Sequence, residues 1–210
     1  MLLGPPASGK GTQGRWLADS LGLAYLSTGA LLREAVEEGT LLGKQAEPIL
    51  ARGEYLPDDL MCPIAANWLS RQHSGWVLDG FPRSLPQATF LDHWLAGYDL
   101  QIDAAVSFDA PFENLVARIR DRVECPGCRW SGRRLQLRSM SSCPECGQSA
   151  GRRFDDSEDN FRSRHAEFVR LTQPVIGHYQ RLDLLCPCDA TPPQAEVAAR
   201  LLQMFLAGAA

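Results

Sequence analysis

Two groups of residues in this chain have types and spacings that do chemistry. The first is Gly4-Pro5-Pro6-Ala7-Ser8-Gly9-Lys10, which fits G-x-x-x-x-G-K directly after a short apolar run and before an amphipathic stretch. In that context the pattern cradles phosphate. Small residues let backbone N–H groups converge on phosphate oxygens, a helix N-terminus adds partial positive charge, and Lys10 brings a mobile cation to the phosphate being moved. Ala7, Ser8, Gly9, Lys10, Gly11 and Thr12 are therefore candidate contacts to a nucleotide. In the general form of this loop a Ser or Thr follows the Lys and its hydroxyl binds Mg²⁺. Here that residue is Gly11. Any metal accompanying the nucleotide must then be held mainly by phosphates and waters, and Asp79, at the end of an apolar run, is the natural carboxylate to orient those waters. Its plainer role is a cap on the turn after a strand.

The second group is Cys125-Pro126-Gly127-Cys128 and Cys143-Pro144-Glu145-Cys146, two C-x₂-C pairs separated by fourteen residues, close to the zinc-ribbon spacing. Each pair forms a knuckle whose two thiolates face one ion, and two knuckles give tetrahedral S₄ coordination. Soft thiolates select Zn²⁺ or iron over Mg²⁺. Two disulfides or a redox pair are the alternatives, disfavoured where the compartment is reducing. Cys62, Cys186 and Cys188 lack a partner motif and read as buried thiols, and His73, His93, His165 and His178 show no ligand clustering.

These groups need a frame to position them. The 210 residues, 45% of them hydrophobic, are enough to bury one full core. Short apolar runs at Met1–Leu3, Leu23–Leu26, Trp76–Leu78, Ala104–Phe108 and Leu184–Cys186 alternate with amphipathic stretches, the α/β pattern of a parallel sheet wrapped by helices. Trp16, Leu17 and Leu21 fall at helical spacing, as do Phe112, Leu115, Val116 and Ile119, and Val197, Leu201, Met204 and Phe205. These stripes are core. Two segments interrupt the alternation and read as insertions on one α/β unit: Thr28 to Pro57, and the Cys/Arg/Gly/Ser-rich stretch from Arg120 to Arg153.

Charge narrows the partners. The net charge of -4 does not favour wholesale nucleic-acid binding, but residues 120–153 hold eight Arg against Asp121, Glu124 and Glu145, or +5, leaving -9 elsewhere. That segment suits an anion. There is no apolar run of about eighteen residues to span a bilayer, and no signal-peptide core follows Met1, so the expectation is a cytosolic protein without a membrane partner.

Five strings carry a resemblance across nearly the whole chain: Gly-Lys-Gly-Thr-Gln at 9–13, Ser-Thr-Gly at 27–29 with Arg33, Asp-Gly-Phe-Pro-Arg at 79–83 with Gln87, Arg-Phe-Asp-Asp at 153–156 with Arg164, and Asp189-Ala190-Thr191. The sequence resembles the adenylate kinase family, nucleoside monophosphate kinases of the long, zinc-binding lid type. The resemblance implies a P-loop NTPase-like, five-stranded parallel sheet flanked by helices, with core segments 1–27, 58–119 and 154–210, a small helical AMP-binding insertion at 28–57 and a zinc-ribbon lid at 120–153. It implies movement of a phosphoryl group from ATP to AMP, giving two ADP by direct in-line transfer with Mg²⁺, and nothing in the sequence suggests more than a monomer.

The family's site residues carry over onto matching positions. Thr28, Arg33, the backbone of Glu54, Tyr55 and Leu56, and Gly80, Phe81, Pro82 and Arg83 would hold AMP, with Gln87 reading its base. Similar UMP/CMP kinases tend to carry Asn after Phe-Pro-Arg and lack a long lid. Arg118 and Arg122 would contact adenine and phosphates of ATP, and the loop at Ala190–Pro192 would meet adenine through its backbone. Lys10, Arg83, Arg122, Arg153 and Arg164 would carry the reaction, since phosphoryl transfer spreads charge over equatorial oxygens and planar guanidinium forks grip it bidentately. The last two arginines would also contact AMP.

The chain departs from the family at three places. Ala7 stands where the loop usually has Gly, so a positive φ there costs about 1 kcal/mol. Ala30 stands where Ser-Thr-Gly is normally followed by Asp, and Val123 replaces the second of two adjacent arginines. Ala7 and Ala30 keep open a nucleotide-binding module with weak or lost catalysis, and the basic segment keeps open a zinc-ribbon nucleic-acid binder, although no aromatic platform is interleaved with its arginines.

Overall fold

The computed structural model describes residues 1–138 and 141–207. The chain opens with β1 (Leu2–Leu3), α1 (Lys10–Leu21) and β2 (Ala24–Ser27), followed by the helices α2 (Thr28–Glu37), α3 (Leu41–Ala51) and α4 (Asp58–Leu69). Next come β3 (Trp76–Asp79), α5 (Leu85–Ala96), β4 (Ala105–Asp109) and α6 (Phe112–Asp121). A two-stranded antiparallel ribbon, β5 (Arg122–Glu124) and β6 (Ser131–Arg133), leads into the cysteine segment. The chain then returns through α7 (Glu158–Glu167), α8 (Gln173–Arg181), β7 (Leu185–Asp189) and α9 (Gln194–Ala207).

The expected five-stranded parallel sheet is present, in the order β2-β3-β1-β4-β7. Parallel neighbours need crossovers, and helices supply them. Side chains alternate across the sheet. Leu3, Leu26 and Leu78 enter one core with Leu91, Val175 and Tyr179, while Leu2, Val77 and Val106 enter the other with Leu115, Ile119 and Leu201. Burial on both faces explains why the strands read as continuous apolar runs.

The strand boundaries differ from the sequence reading in an instructive way. β1 is only two residues long, because the chain leaves the sheet at once to form the phosphate loop. β2 and β3 each run one residue further, to Ser27 and Asp79. β7 continues three residues past Cys186 to Asp189. Pro187 is tolerated inside it because β7 is an edge strand and needs no donor on its outer side. Of the helical stripes, Leu115, Val116, Ile119, Val197 and Leu201 are buried, whereas Trp16 and Leu21 are only half-buried.

Helix α7 helps tie the 28–57 region to the rest. Asn160 Nδ2 donates to the carbonyls of Leu50 and Ala51 at 3.0 and 3.1 Å, satisfying the open end of α3 from α7. Between α7 and α8 the helix widens into a π turn, Phe168–Thr172, just before Pro174, which has no N–H to continue the regular ladder. The Thr172 hydroxyl in that turn donates to the Arg83 carbonyl at 2.9 Å.

Candidate active site

In this sheet the strand order reverses about β1, and a crevice opens beyond the carboxyl ends of the strands, where ligands bind in open α/β sheets. A cleft of about 800 Å³ lies there. Its floor is the loop between β1 and α1. Gly9 ends the loop in a left-handed conformation, and Ala7 takes φ 63°, the positive value its position was expected to require. The Lys10 ammonium donates to the Gly4 and Pro5 carbonyls at 2.7 Å and to Ser8 Oγ at 3.3 Å. Burial, with Arg83, Arg122 and Arg164 nearby, pushes its pKa down to about 8 against the opposing pull of Asp79.

Arginines from four parts of the chain face this loop: Arg33 on α2, Arg83 after β3, Arg122 at the end of α6, and Arg153 ahead of α7 with Arg164 in its last turn. Two buried carboxylates, Asp155 and Asp156, and the partly buried Glu124 pair with them. Asp156 pairs with Arg122, Glu124 with Arg153, and Asp155 lies 2.9 Å from Arg164 and 3.9 Å from Arg33. Burial opposes the charge on Arg122, but its bond to Asp156 prevails and keeps the guanidinium above its ordinary value. Arg153 is drawn down to about 9 by burial and by its arginine neighbours. Such a cluster is arranged for the charge of phosphates. Arg118 lies at the other end, its guanidinium donating to the Ala190 carbonyl at 2.5 Å and the Ser8 carbonyl at 3.3 Å.

Most of the residues picked from sequence meet on this wall: Ala7 to Thr12, Arg33, Tyr55, Asp79, Gly80, Pro82, Arg83, Arg118, Arg122, Arg153, Arg164 and Pro192. Others sit elsewhere. Leu56 and Gln87, with Tyr55, line a smaller cavity of about 210 Å³ next to Asp58 and Ser84. Gln87 accepts from the Arg83 N–H at 2.7 Å and donates to Asp58 Oδ1 at 2.7 Å. Thr28 is buried and donates to the Gly80 carbonyl at 2.9 Å, Phe81 is wholly buried in the core, and Glu54 is exposed and paired with Arg52 at 2.7 Å. The Phe81 side chain cannot touch a ligand, so that position offers only its backbone.

The Asp79 carboxylate stands beside Gly11, where a side chain would come within 3.3 Å of Oδ2. Tyr25 and Ser27 donate to Oδ2, and among the described residues no hydrogen bond engages Oδ1. One carboxylate without a cage of further oxygen ligands fits an ion that keeps its waters, as Mg²⁺ does. In the cysteine segment the Sγ atoms of Cys125, Cys128, Cys143 and Cys146 all lie within 4.8 Å of one another, with two pairs at 3.5 Å. Tetrahedral bonds of about 2.3 Å to sulfur would space the thiolates by ~3.8 Å, so the four fit one ion. Burial raises the Cys143 thiol, but the N–H groups of Cys146 and Glu145 bring it down to about 7. Among the described residues the buried apolar set here is Cys125, Cys143 and Ala150, with the thiols at its centre.

The family model for adenylate kinase matches residues 2–184. The chain belongs to the adenylate kinase family. It is 36% identical over 207 residues to an adenylate kinase of Petrotoga mobilis, spanning 98% of this chain and 96% of the relative. It is 37% identical over 208 residues to one of Paracoccus denitrificans, with 98% and 95% covered. With one of Kosmotoga olearia it shares 38% over 195 residues, 91% of each.

Within this adenylate kinase, sequence reasoning passed over several wall residues. The ring of Tyr55, a residue expected to act through its backbone alone, lies on Arg83, with the guanidinium carbon 4.4 Å from the ring centre. Trp130 and Arg129 line the cleft from the cysteine segment. Asp155 and Asp156 lie behind the wall and pair with its arginines, and the local signal for them is two adjacent acids between Arg153 and Arg164. Tyr25 belongs to no motif, and only the strand register reveals it.

Proposed function

We infer that this adenylate kinase transfers the terminal phosphoryl group of ATP to AMP, reversibly and in line, giving two ADP. The observation that carries the reading is the convergence of Arg33, Arg83, Arg122, Arg153 and Arg164 on the loop that presents Lys10. A loose phosphoryl transition state asks the protein for little covalent chemistry and much positioning and charge.

In this account Ala7 to Thr12 bind the ATP phosphates through their backbone and Lys10. Arg118 and Pro192 bound the adenine end, and Arg122 serves both binding and reaction. AMP lies toward Thr28, Arg33, the 54–56 backbone and Gly80 to Arg83, with Gln87 at its base. Gln87 must then release Asp58 or the Arg83 N–H to read adenine. Arg83, Arg153 and Arg164 contact the acceptor phosphate, and Lys10 and Arg122 the transferring one. Mg²⁺ bound with ATP supplies charge neutralisation at the phosphate oxygens, and Asp79 orients its waters.

Three kinds of segment share the work, with a core at 1–27, 58–119 and 154–210, an AMP-binding part at 28–57, and a lid at 120–153 folded around zinc. Lid closure excludes water from the cleft and so prevents idle hydrolysis, the gating for which adenylate kinase is itself a standard illustration. No helix among the described residues is long and apolar enough to cross a membrane. The reading places the chain in the cytoplasm as a monomer that binds no nucleic acid.

An acceptor screen tests the reading. With MgATP, AMP should be phosphorylated in preference to UMP, CMP and GMP, and Lys10→Met should abolish the rate on each. Preference for a pyrimidine acceptor would contradict the assignment of Gln87.

A further inference from the structure

The carboxylate that faces the phosphate loop is fixed by a residue outside every motif. Strands β2 and β3 pair with Tyr25 opposite Val77 and Ser27 opposite Asp79. Residues two apart on a strand share a face, so Tyr25, Ser27 and Asp79 all lie on the side covered by α1. The Tyr25 hydroxyl is 3.0 Å from Asp79 Oδ2 and 3.2 Å from the Gly11 carbonyl. It has one hydrogen to give, and the ionised carboxylate is the stronger acceptor. Ser27 donates to the same oxygen at 3.3 Å while its hydroxyl accepts from the Ala30 N–H at 3.4 Å, capping α2.

Helix α1 is cut to admit this ring. A side chain at Gly14 would come within 3.0 Å of Tyr25 Cε2 and 2.5 Å of Leu2 Cδ1, and one at Gly11 would stand 3.8 Å from the Tyr25 hydroxyl. The slot is therefore made by the missing side chain of Gly14, while Gly11 leaves ordinary contact distance to the hydroxyl. The carboxylates on the cleft wall, among the described residues, are Asp79, Glu124 and Glu145. Glu124 is engaged by Arg153 and Arg33, and Glu145 belongs to a cysteine knuckle. Asp79 is left beside the phosphate loop without the second acid that Ala30 does not supply.

We propose that Tyr25 is a positioning residue for the nucleotide-borne Mg²⁺. It fixes Asp79 through Oδ2 and so aims Oδ1 at the metal's waters. This rests on the phosphoryl-transfer reading above. A carboxylate held by one partner can rotate, and each rotation away from the site removes an acceptor from the hydration shell. Two hydroxyls on one oxygen, with a ring wedged into α1, prevent that rotation. Orienting partners of this kind tune metal sites almost as strongly as the ligands.

The test uses the full, zinc-loaded chain and Tyr25→Phe, which keeps the ring in its slot and removes only the hydroxyl. Calorimetry gives the affinity for ATP without added Mg²⁺ and for MgATP, and kinetics give kcat and the KM for AMP. The expected result is an unchanged affinity for ATP alone, with the advantage of MgATP and kcat each falling about 10-fold, the lower range for lost orienting partners of a metal. The KM for AMP should not move. Ala30→Asp should recover part of the loss in the Tyr25→Phe background. Equal weakening of ATP and MgATP, the mark of a merely structural role, overturns the proposal, and so does an unchanged response to Mg²⁺ in an otherwise active enzyme. If the parent protein shows no turnover with any acceptor, the underlying reading fails as well.

Discussion

The Arg129 guanidinium lies 3.4 Å from Glu37 and 3.5 Å from Glu34, so the cysteine segment touches helix α2 directly across the cleft. Arg129 does so from a backbone at φ 61°, the place taken in the second knuckle by Gly147 at φ 76°. A glycine would be the unstrained choice in the first knuckle too, and the arginine side chain is what the strain obtains. Arg129→Gly and Glu37→Gln should each raise the dissociation rate of ATP by up to about 5-fold, the reach of a partly exposed ion pair. The double variant should do no more than Arg129→Gly alone, since Glu34 still holds the arginine in Glu37→Gln. Stopped-flow release of a fluorescent ATP analogue measures this, and additive effects would show that the pair does not couple.

Ala7 carries a similar strain inside the phosphate loop. Ala7→Gly should stabilise the protein by about 1 kcal/mol, which for a chain of this size raises the unfolding temperature by about 2–4 °C. Differential scanning calorimetry decides it. A lower unfolding temperature would mean that the alanine methyl packs better than its backbone suffers.

Lys10 gives a pH dependence. Its folded pKa of about 8 lies below the 10.5 of an unfolded lysine, so the unfolded chain holds this proton more tightly. Stability therefore rises as pH climbs from about 8 toward 10.5, and Lys10→Met loses the share due to Lys10, keeping the rise above about pH 9 that the lowered Arg153 contributes. Phosphate binding restores the proton, so ATP affinity should fall above pH 8 in the parent protein and stay flat in the variant. Lys10→Met should also lose at least about 3 kcal/mol of transition-state stabilisation, as should Arg83→Ala. Titration calorimetry and kcat/KM across pH 7–10 check both.

The four cysteines give the clearest structural test. Cys125→Ser should drop the bound zinc per chain toward zero and expose the 122–151 segment to proteases, while the sheet unfolds at nearly its usual temperature. Metal content by mass spectrometry and limited proteolysis report this. Iron in place of zinc would revise the metal alone, whereas a protease-resistant segment without metal would contradict its structural role.

How legible this protein was depended on whether a feature is local. Both faces of the sheet are buried, so Val77-Leu78 and Ala105-Val106 announced their strands, and the phosphate loop and cysteine pairs were contiguous strings. The ribbon β5–β6 could not be read that way, because Arg122, Val123 and Glu124 pair with Arg133, Gly132 and Ser131, a ladder without apolar alternation. β7 ran past Cys186 because an edge position excuses Pro187, which no local pattern reveals. In the site, Tyr25 reaches Asp79 only through the register of β2 on β3, and Tyr55 reaches Arg83 only by tertiary contact. The acids Asp155 and Asp156 were visible as residues, but their pairing with arginines from distant segments was not.

The central claim concerns where the phosphoryl group goes. Purified protein with MgATP and AMP, followed by ³¹P NMR, should form two ADP for each AMP consumed, with no inorganic phosphate released and no reaction in Lys10→Met. Inorganic phosphate in place of the second ADP, or no change in the spectrum with AMP or any other monophosphate, would contradict it.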